Sequence, residues 1–145
     1  MLTSGLQKTS QAKLECVSWE ALAAPNQIAA WDNLARHVTE PNPFCESWYL
    51  LPSLRHLRGN TNVQILQLMM EGQLCGLMPI ARSSRYYRYP LPHLTNWQHA
   101  NMFCGVPLVA KGAETAFWQA LLDWIDQHAG TALFLHLRDI PLNGV

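Results

Sequence analysis

The residues with the clearest chemical potential fall between positions 82 and 114. Arg82, Arg85 and Arg88 lie within seven positions, interleaved with Tyr86, Tyr87 and Tyr89. Guanidinium forks match phosphate and carboxylate oxygens, so this segment can hold a local anion. The plainer alternative is a solvated strand end and loop whose rings fold onto the core. Further on, Asn96, Trp97, His99 and Asn101 form the densest polar-aromatic cluster. A loop of this kind, carried on a rigid scaffold, is where sites are commonly built. His99 titrates near neutrality and can serve as a general base. No serine or cysteine nucleophile stands beside it in sequence, Cys104 being five residues on, so the weight falls on a structural histidine. The turn from Val109 to Glu114 is a third candidate. A strand, a glycine turn and a helix start can hold phosphate through free N–H groups and the helix dipole. Lys111 and Gly112 are its only favourable residues, and Glu114 in the first helical turn repels an anion. An ordinary strand-to-helix connection is the simpler account.

The remaining histidines, His37, His56, His93, His128 and His136, show no i, i+4 pair and no His-Glu-x-x-His pattern. No metal site is therefore expected. Cys16, Cys45, Cys75 and Cys104 stand about thirty residues apart with no Cys-x-x-Cys pair. They are expected to be reduced and mostly buried, as in a cytoplasmic protein. Glu46, Asp123, Asp126 and Asp139 are scattered, and the spacing brings no carboxylate pair together. No catalytic residue can be assigned.

A chain of 145 residues with 49% hydrophobic and 14% charged residues can bury a sizeable core. Ten basic and ten acidic residues balance to zero net charge, which disfavours a nucleic-acid partner. The start of the chain lacks the apolar core of a signal peptide, and no apolar run is long enough to span a bilayer. The low charge fraction suggests that part of the surface meets another domain or a protein partner.

These candidates must be positioned by the following elements. Residues 1–13 read as a loose tail and 14–145 as one lobe. Leu14 to Ser18 reads as a strand. Asn26 is a fair N-cap for a helix that presents Ile28, Trp31, Leu34, Ala35 and Val38 on one side and ends at Pro41-Asn42-Pro43. A second helix runs from Phe44 to Leu57, with Trp48, Leu51 and Leu54 or Arg55 on one face, a kink or restart at Pro52, and closure at Gly59-Asn60. Val63 to Met70 and Gln73 to Ile80 form a hairpin through Glu71-Gly72. Pro79 predicts an edge or a bulge near its end. Residues 82–92 read as loop, continuing into the polar-aromatic stretch from Leu94, and Val106 to Val109 as a short strand. A long amphipathic helix then carries Phe117, Ala120, Leu121, Trp124, Ile125 and His128 on one face, between Gly112 and Gly130. Leu133 to Leu137 reads as a buried, central strand. The order β-α-α-β-β-β-α-β predicts a mixed α/β fold, a partly antiparallel sheet with helices packed on it.

Asn42-Pro-Phe44 with Trp48 and Leu51-Pro52, Glu71-Gly72 with Gly76-Leu-Met-Pro79, and Asn96-Trp-Gln-His99 with Gly105-Val-Pro-Leu-Val109 together carry a resemblance. The chain resembles the bacterial GNAT-type acyltransferases of the cellulose-biosynthesis (CelD/BcsL-like) group, related to the Fem-type aminoacyltransferases. The resemblance implies the N-terminal lobe of such a protein, with acetyl-CoA or another acyl-CoA as cofactor and an amine as acceptor. It implies that Arg85, Trp97, His99 and Asn101 line an acceptor or interlobe cleft, and that Lys111 and Gly112 are the cofactor-binding positions. The family's glycine-rich pyrophosphate turn is not matched at Ala110 to Glu114, and relatives are about twice this length. A second lobe of the same protein, or a protein partner, is therefore expected to complete catalysis. The competing expectation is a non-catalytic lobe that acts in domain packing.

Overall fold

The computed structural model describes residues 11–141. Residues 1–10 of the expected tail lie outside the described residues, and Lys13 already belongs to the first strand. The elements run β1 (Lys13–Ser18), α1 (Pro25–Ala35), α2 (Ser47–Leu57), β2 (Val63–Met70), β3 (Gln73–Ser83), β4 (His93–Asn96), β5 (Leu108–Val109), α3 (Glu114–His128) and β6 (Leu135–His136), with 3-10 turns at Trp19–Ala23 and Pro43–Cys45. The sheet order is β1-β2-β3-β4-β6, and β5 also pairs with β3. Every pairing is antiparallel except that of β4 with β6. The fold is mixed α/β, with three α-helices on a mostly antiparallel sheet.

The β2–β3 hairpin forms as its sequence dictates. Glu71 and Gly72 both have positive φ, 52° and 76°, as a tight type I′ connection requires. Both strands bury both of their faces. Val63 and Ile65 on β2, with Leu77 and Ala81 on β3, join one apolar cluster with Trp31, Leu34, Leu50 and Leu54 of α1 and α2. Leu66, Leu68, Met78 and Ile80 join the other, against Phe117 and Leu121 of α3. The period of two thus sorts each strand between two helical layers. Gly76 makes the second layer possible, because a Cβ there would lie 2.6 Å from Phe117 Cδ2.

Several local expectations are corrected. Pro79 lies in the middle of the central strand, opposite Ile65, and neither at an edge nor in a bulge. Its carbonyl accepts from Trp97 N, so its missing N–H faces the gap where the flank of β3 passes from β5 to β4. The register shift falls instead between Leu68 and Met69, where Cys75 is the extra residue on β3. The first helix starts with Pro25 at N1 after Ala24, not with Asn26 as cap, and ends at Ala35. Val38 lies beyond it, bridged to Ala110. Residues Pro43–Cys45 form a 3-10 turn and α2 begins only at Ser47. Pro52 does not interrupt α2, and the buried face is Leu50, Leu51 and Leu54, while Trp48 points outward at 64% exposure. Strand β4 falls inside the stretch expected to be loop. Thr95 and Asn96 hide it, being polar side chains that are nonetheless buried. The Val106 to Val109 strand shortens to Leu108–Val109. Finally, β6 is half-buried and lies at the edge of the sheet, beside β4, rather than at its centre.

Helix α3 follows its amphipathic pattern, with Phe117 and Leu121 fully buried. Gly130, at φ 61°, follows its C-terminus, a position that favours glycine. Arg82 closes the same end, donating from Nη1 to Ala129 O (2.6 Å) and from Nη2 to His128 O (2.5 Å). A guanidinium on terminal carbonyls also favours the negative end of the helix dipole.

Candidate functional site

Residues 97–107 are held from two sides by buried amides. Asn42 donates from Nδ2 to Val106 O (2.7 Å) and Cys104 O (3.2 Å). Asn96 donates from Nδ2 to Gly105 O (3.1 Å) and Arg138 O (3.0 Å), and its Oδ1 accepts from Arg138 N (2.8 Å). Gly105 donates to Asp139 O (2.8 Å), and a Cβ at this glycine would lie 1.9 Å from Arg138 O. Only glycine fits between the segment and the chain after β6.

Within this segment Trp97 is buried in the first core cluster. His99 stacks on Tyr49, the rings 5.8 Å apart at 16°. Its Nδ1 accepts from Asn101 N (3.2 Å), which places the proton on Nε2, and Nε2 donates to Ser53 Oγ (3.1 Å). Ser53 in turn donates to Tyr49 O (2.8 Å). The structure therefore does bring a serine to His99, from position 53 on α2. The bond between His99 and Ser53 runs away from the imidazole, opposite to the direction a general base needs. Burial pushes the His99 pKa down, consistent with a neutral ring in a fixed network. Asn101 is exposed, and its backbone carbonyl accepts from Tyr49 Oη (3.3 Å).

Lys111 and Gly112 are exposed at the turn before α3, with Gly112 at φ 86°. A carboxylate of the chain itself stands at this helix start. The Glu114 carboxylate takes the Thr39 hydroxyl. Its pKa is held down first by that bond and then by the backbone N–H groups of Glu114 and Gly112. A pyrophosphate meets a carboxylate here, so these residues do not fit an acyl-CoA donor as they stand.

Arg85 lies elsewhere, apart from Trp97, His99 and Asn101. It lines a cleft of about 300 Å³ with Tyr86, His93, His136 and Arg138, on one face of β4 and β6. The three arginines of the basic segment thus separate. Arg82 caps α3, Arg85 reaches the cleft, and Arg88 sits over the Tyr89 ring at 5.8 Å. The segment forms a small hairpin in which Tyr86 and Tyr89 exchange backbone bonds of 2.9 and 3.0 Å. Tyr87, at its tip, has φ 54°, a conformation costing about 1 kcal/mol or more outside glycine. Inside the cleft the Tyr86 ring meets His93, Phe134 and His136 edge-on at 5.1 to 5.5 Å. His93 stacks on Phe134 at 4.9 Å and donates from Nδ1 to Leu91 O (3.0 Å). The His136 pKa is pushed down by burial first, then by His93 and Arg138. Arg138 Nε is buried with no hydrogen-bond partner among the described residues. Its Nη2 makes a long 3.4 Å bond to Asn96 O.

This cleft was only half legible. Arg85 and the tyrosines signalled it, but His93, His136 and Arg138 come from strands whose pairing the sequence does not state. Among the described residues no group of three or more His, Cys, Asp or Glu is placed to hold a metal ion. Nor is any helix among them long and apolar enough to cross a membrane.

No protein-family model matches the sequence, and no curated protein is significantly similar to it. Among solved structures, the chain is similar to the crystal structure of an aminoglycoside acetyltransferase from an uncultured soil metagenomic sample. The match covers 88% of this chain and 79% of that one, at 14% identity and a TM-score of 0.49.

Proposed function

We propose that this chain is a GNAT-like lobe of an acyl-CoA-dependent N-acyltransferase, completed by a second lobe or a protein partner. The observation that carries the proposal is the β4–α3–β6 crossover. One parallel strand pair, joined through β5 and α3, closes an otherwise antiparallel sheet, and the element order is the one the sequence resemblance implies with β4 added. Acyl-CoA, when bound, supplies an activated thioester carbonyl, and transfer to an amine rests on positioning and on polarising that carbonyl. This chain contributes scaffold. Asn42 and Asn96 fix the segment after β4, while Glu114 keeps the start of α3 closed to the donor's pyrophosphate.

The test removes the obstruction. In buffer free of phosphate, and with Arg85→Gln in both proteins to remove the other anion cleft, acetyl-CoA at 1 mM is expected to leave the melting temperature of the protein with Glu114 unchanged. Glu114→Ala uncovers the helix start, and the same acetyl-CoA is then expected to raise its melting temperature by about 4 °C, as binding at roughly ten times Kd implies. A folded Glu114→Ala variant that ignores acetyl-CoA refutes the proposal.

One observation favours a non-catalytic packing lobe instead. Trp48 and Phe103 are 64% and 76% exposed, and they adjoin Tyr49 and Phe44 in an edge-to-face aromatic chain. Such a patch suits an interface. Indifference of both proteins to acetyl-CoA, together with self-association abolished by Phe103→Ser, decides for that reading.

A further inference from the structure

The cleft at Arg85 and Arg138 stands apart from the start of α3. Ala110, just before that helix, donates to Cys75 near one end of β3, whereas Ser83 and Arg85 lie at the other end. Eight strand residues separate the two, roughly 25 Å. The faces differ as well. Leu94 and Leu135 turn toward α3, while their neighbours His93, Thr95 and His136 line the cleft on the opposite face.

We propose that this cleft is a binding site for a small molecule carrying a phosphomonoester group. The charge of its lining comes first. Arg85 and Arg138 supply two guanidiniums, His93 and His136 two imidazoles, and no carboxylate lines the cleft. Two guanidiniums that share a cleft with no carboxylate repel one another, and an anion between them offsets that repulsion. Next come the unused donors. Arg138 Nε is buried and unpartnered among the described residues, and a buried N–H without a partner costs about 1–3 kcal/mol. A small turn of the guanidinium toward the cleft would let an oxyanion accept from it and remove that cost. A doubly charged group suits two arginines better than a single carboxylate does. Size and walls then argue for more than a free ion. About 300 Å³ exceeds what a bare phosphate fills, and the rings of Tyr86 and Tyr87 stand at its side, Tyr87 being 80% exposed. An organic body, planar by preference, can lie against those rings while its phosphate meets the arginines.

The test is a titration followed by backbone amide NMR in 150 mM NaCl and in buffer free of phosphate and coenzyme A. The probes are phenyl phosphate, inorganic phosphate and benzoate. Saturable shifts confined to residues 83–95 and 134–139 are expected, with phenyl phosphate binding at least tenfold more tightly than inorganic phosphate or benzoate. Arg138→Gln and Arg85→Gln are each expected to weaken phenyl phosphate at least tenfold. Arg85 is exposed, so its replacement leaves folding untouched should Arg138→Gln disturb it. Equal affinity for benzoate overturns the phosphomonoester assignment, and shifts that persist in Arg85→Gln or fall elsewhere overturn the site. Neither outcome depends on acetyl-CoA, so the acyl-transfer proposal stands or falls separately.

Discussion

Replacing Asn96 by alanine removes the side chain on which the edge of the sheet and the 97–107 segment both depend. Asn96 is 1% exposed and makes three bonds with backbone groups, two to Arg138 and one to Gly105. Truncation strands one N–H and two carbonyls in a region its neighbours have already dried. A buried orphan costs about 1–3 kcal/mol, and carbonyls with a second lone pair fall at the lower end. Three groups together give about 3–5 kcal/mol, against a total stability of about 5–15 kcal/mol for a typical chain. For a protein of this length that is a melting-point loss of about 10 °C or more. Urea unfolding followed by tryptophan fluorescence measures it, with an unchanged m-value showing that the native state is intact. Asn101→Ala is the control. Only the backbone of Asn101 takes part in the contacts described, so its truncation should stay within about 0.5 kcal/mol. A loss below about 1 kcal/mol for Asn96→Ala would refute the idea that this amide clamps the segment.

Three further outcomes are expected. Gly76→Ala should destabilise by about 1–3 kcal/mol through overpacking against Phe117, and Phe117→Leu in the same chain should restore part of the loss in a double-mutant cycle. The Cys45 thiol, its pKa pushed up to about 12 by burial and then by Cys104, should resist Ellman's reagent at pH 8 in the native protein and react promptly in urea. Equal rates in both conditions would contradict that burial. His99 and His136 both have folded pKa values below the ordinary 6.5, so the unfolded chain takes up their protons first as pH falls. Stability should therefore be level above about pH 7 and decline as pH falls through 6.5 toward the folded values. His99→Gln should shallow that decline in urea midpoints measured across pH, and a slope of opposite sign would refute the assignment.

How much the sequence declares depends on whether a signal is local. The β2–β3 hairpin could be read directly, because Glu71-Gly72 between two apolar runs admits few other conformations. Helix α3 could be read as well, since the spacing from Phe117 to Ile125 is enough to define its face. Strand β4 could not. Its four residues, His93–Asn96, are buried although three are polar, and what makes that tolerable is a set of partners distant in the chain. Pro79 misled for a similar reason: a proline in a central strand is excluded only if both flanks need its N–H, and here one flank is divided between β4 and β5. The link from Ser53 to His99, and the meeting of Arg85 with Arg138, are products of tertiary closure. Asn42 and Asn96 stand in motifs the sequence does display, but their role as clamps is not local, because the carbonyls they hold lie far along the chain.

The two asparagine clamps also bear on how the chain acquires its shape during synthesis. Asn42 reaches partners 62 and 64 residues away, and Asn96 reaches Arg138 across 42. A ribosome emits these pieces in order, so α1, α2 and the β2–β3 hairpin leave the tunnel well before the groups that anchor them. Closing such long loops is slow relative to zipping a hairpin. Until Arg138 emerges, the Asn96 amide stays hydrated and the 97–107 segment has nothing to set against. Synthesis of the stretch around Arg138 therefore acts as a fastener, locking the earlier part of this lobe to the later one.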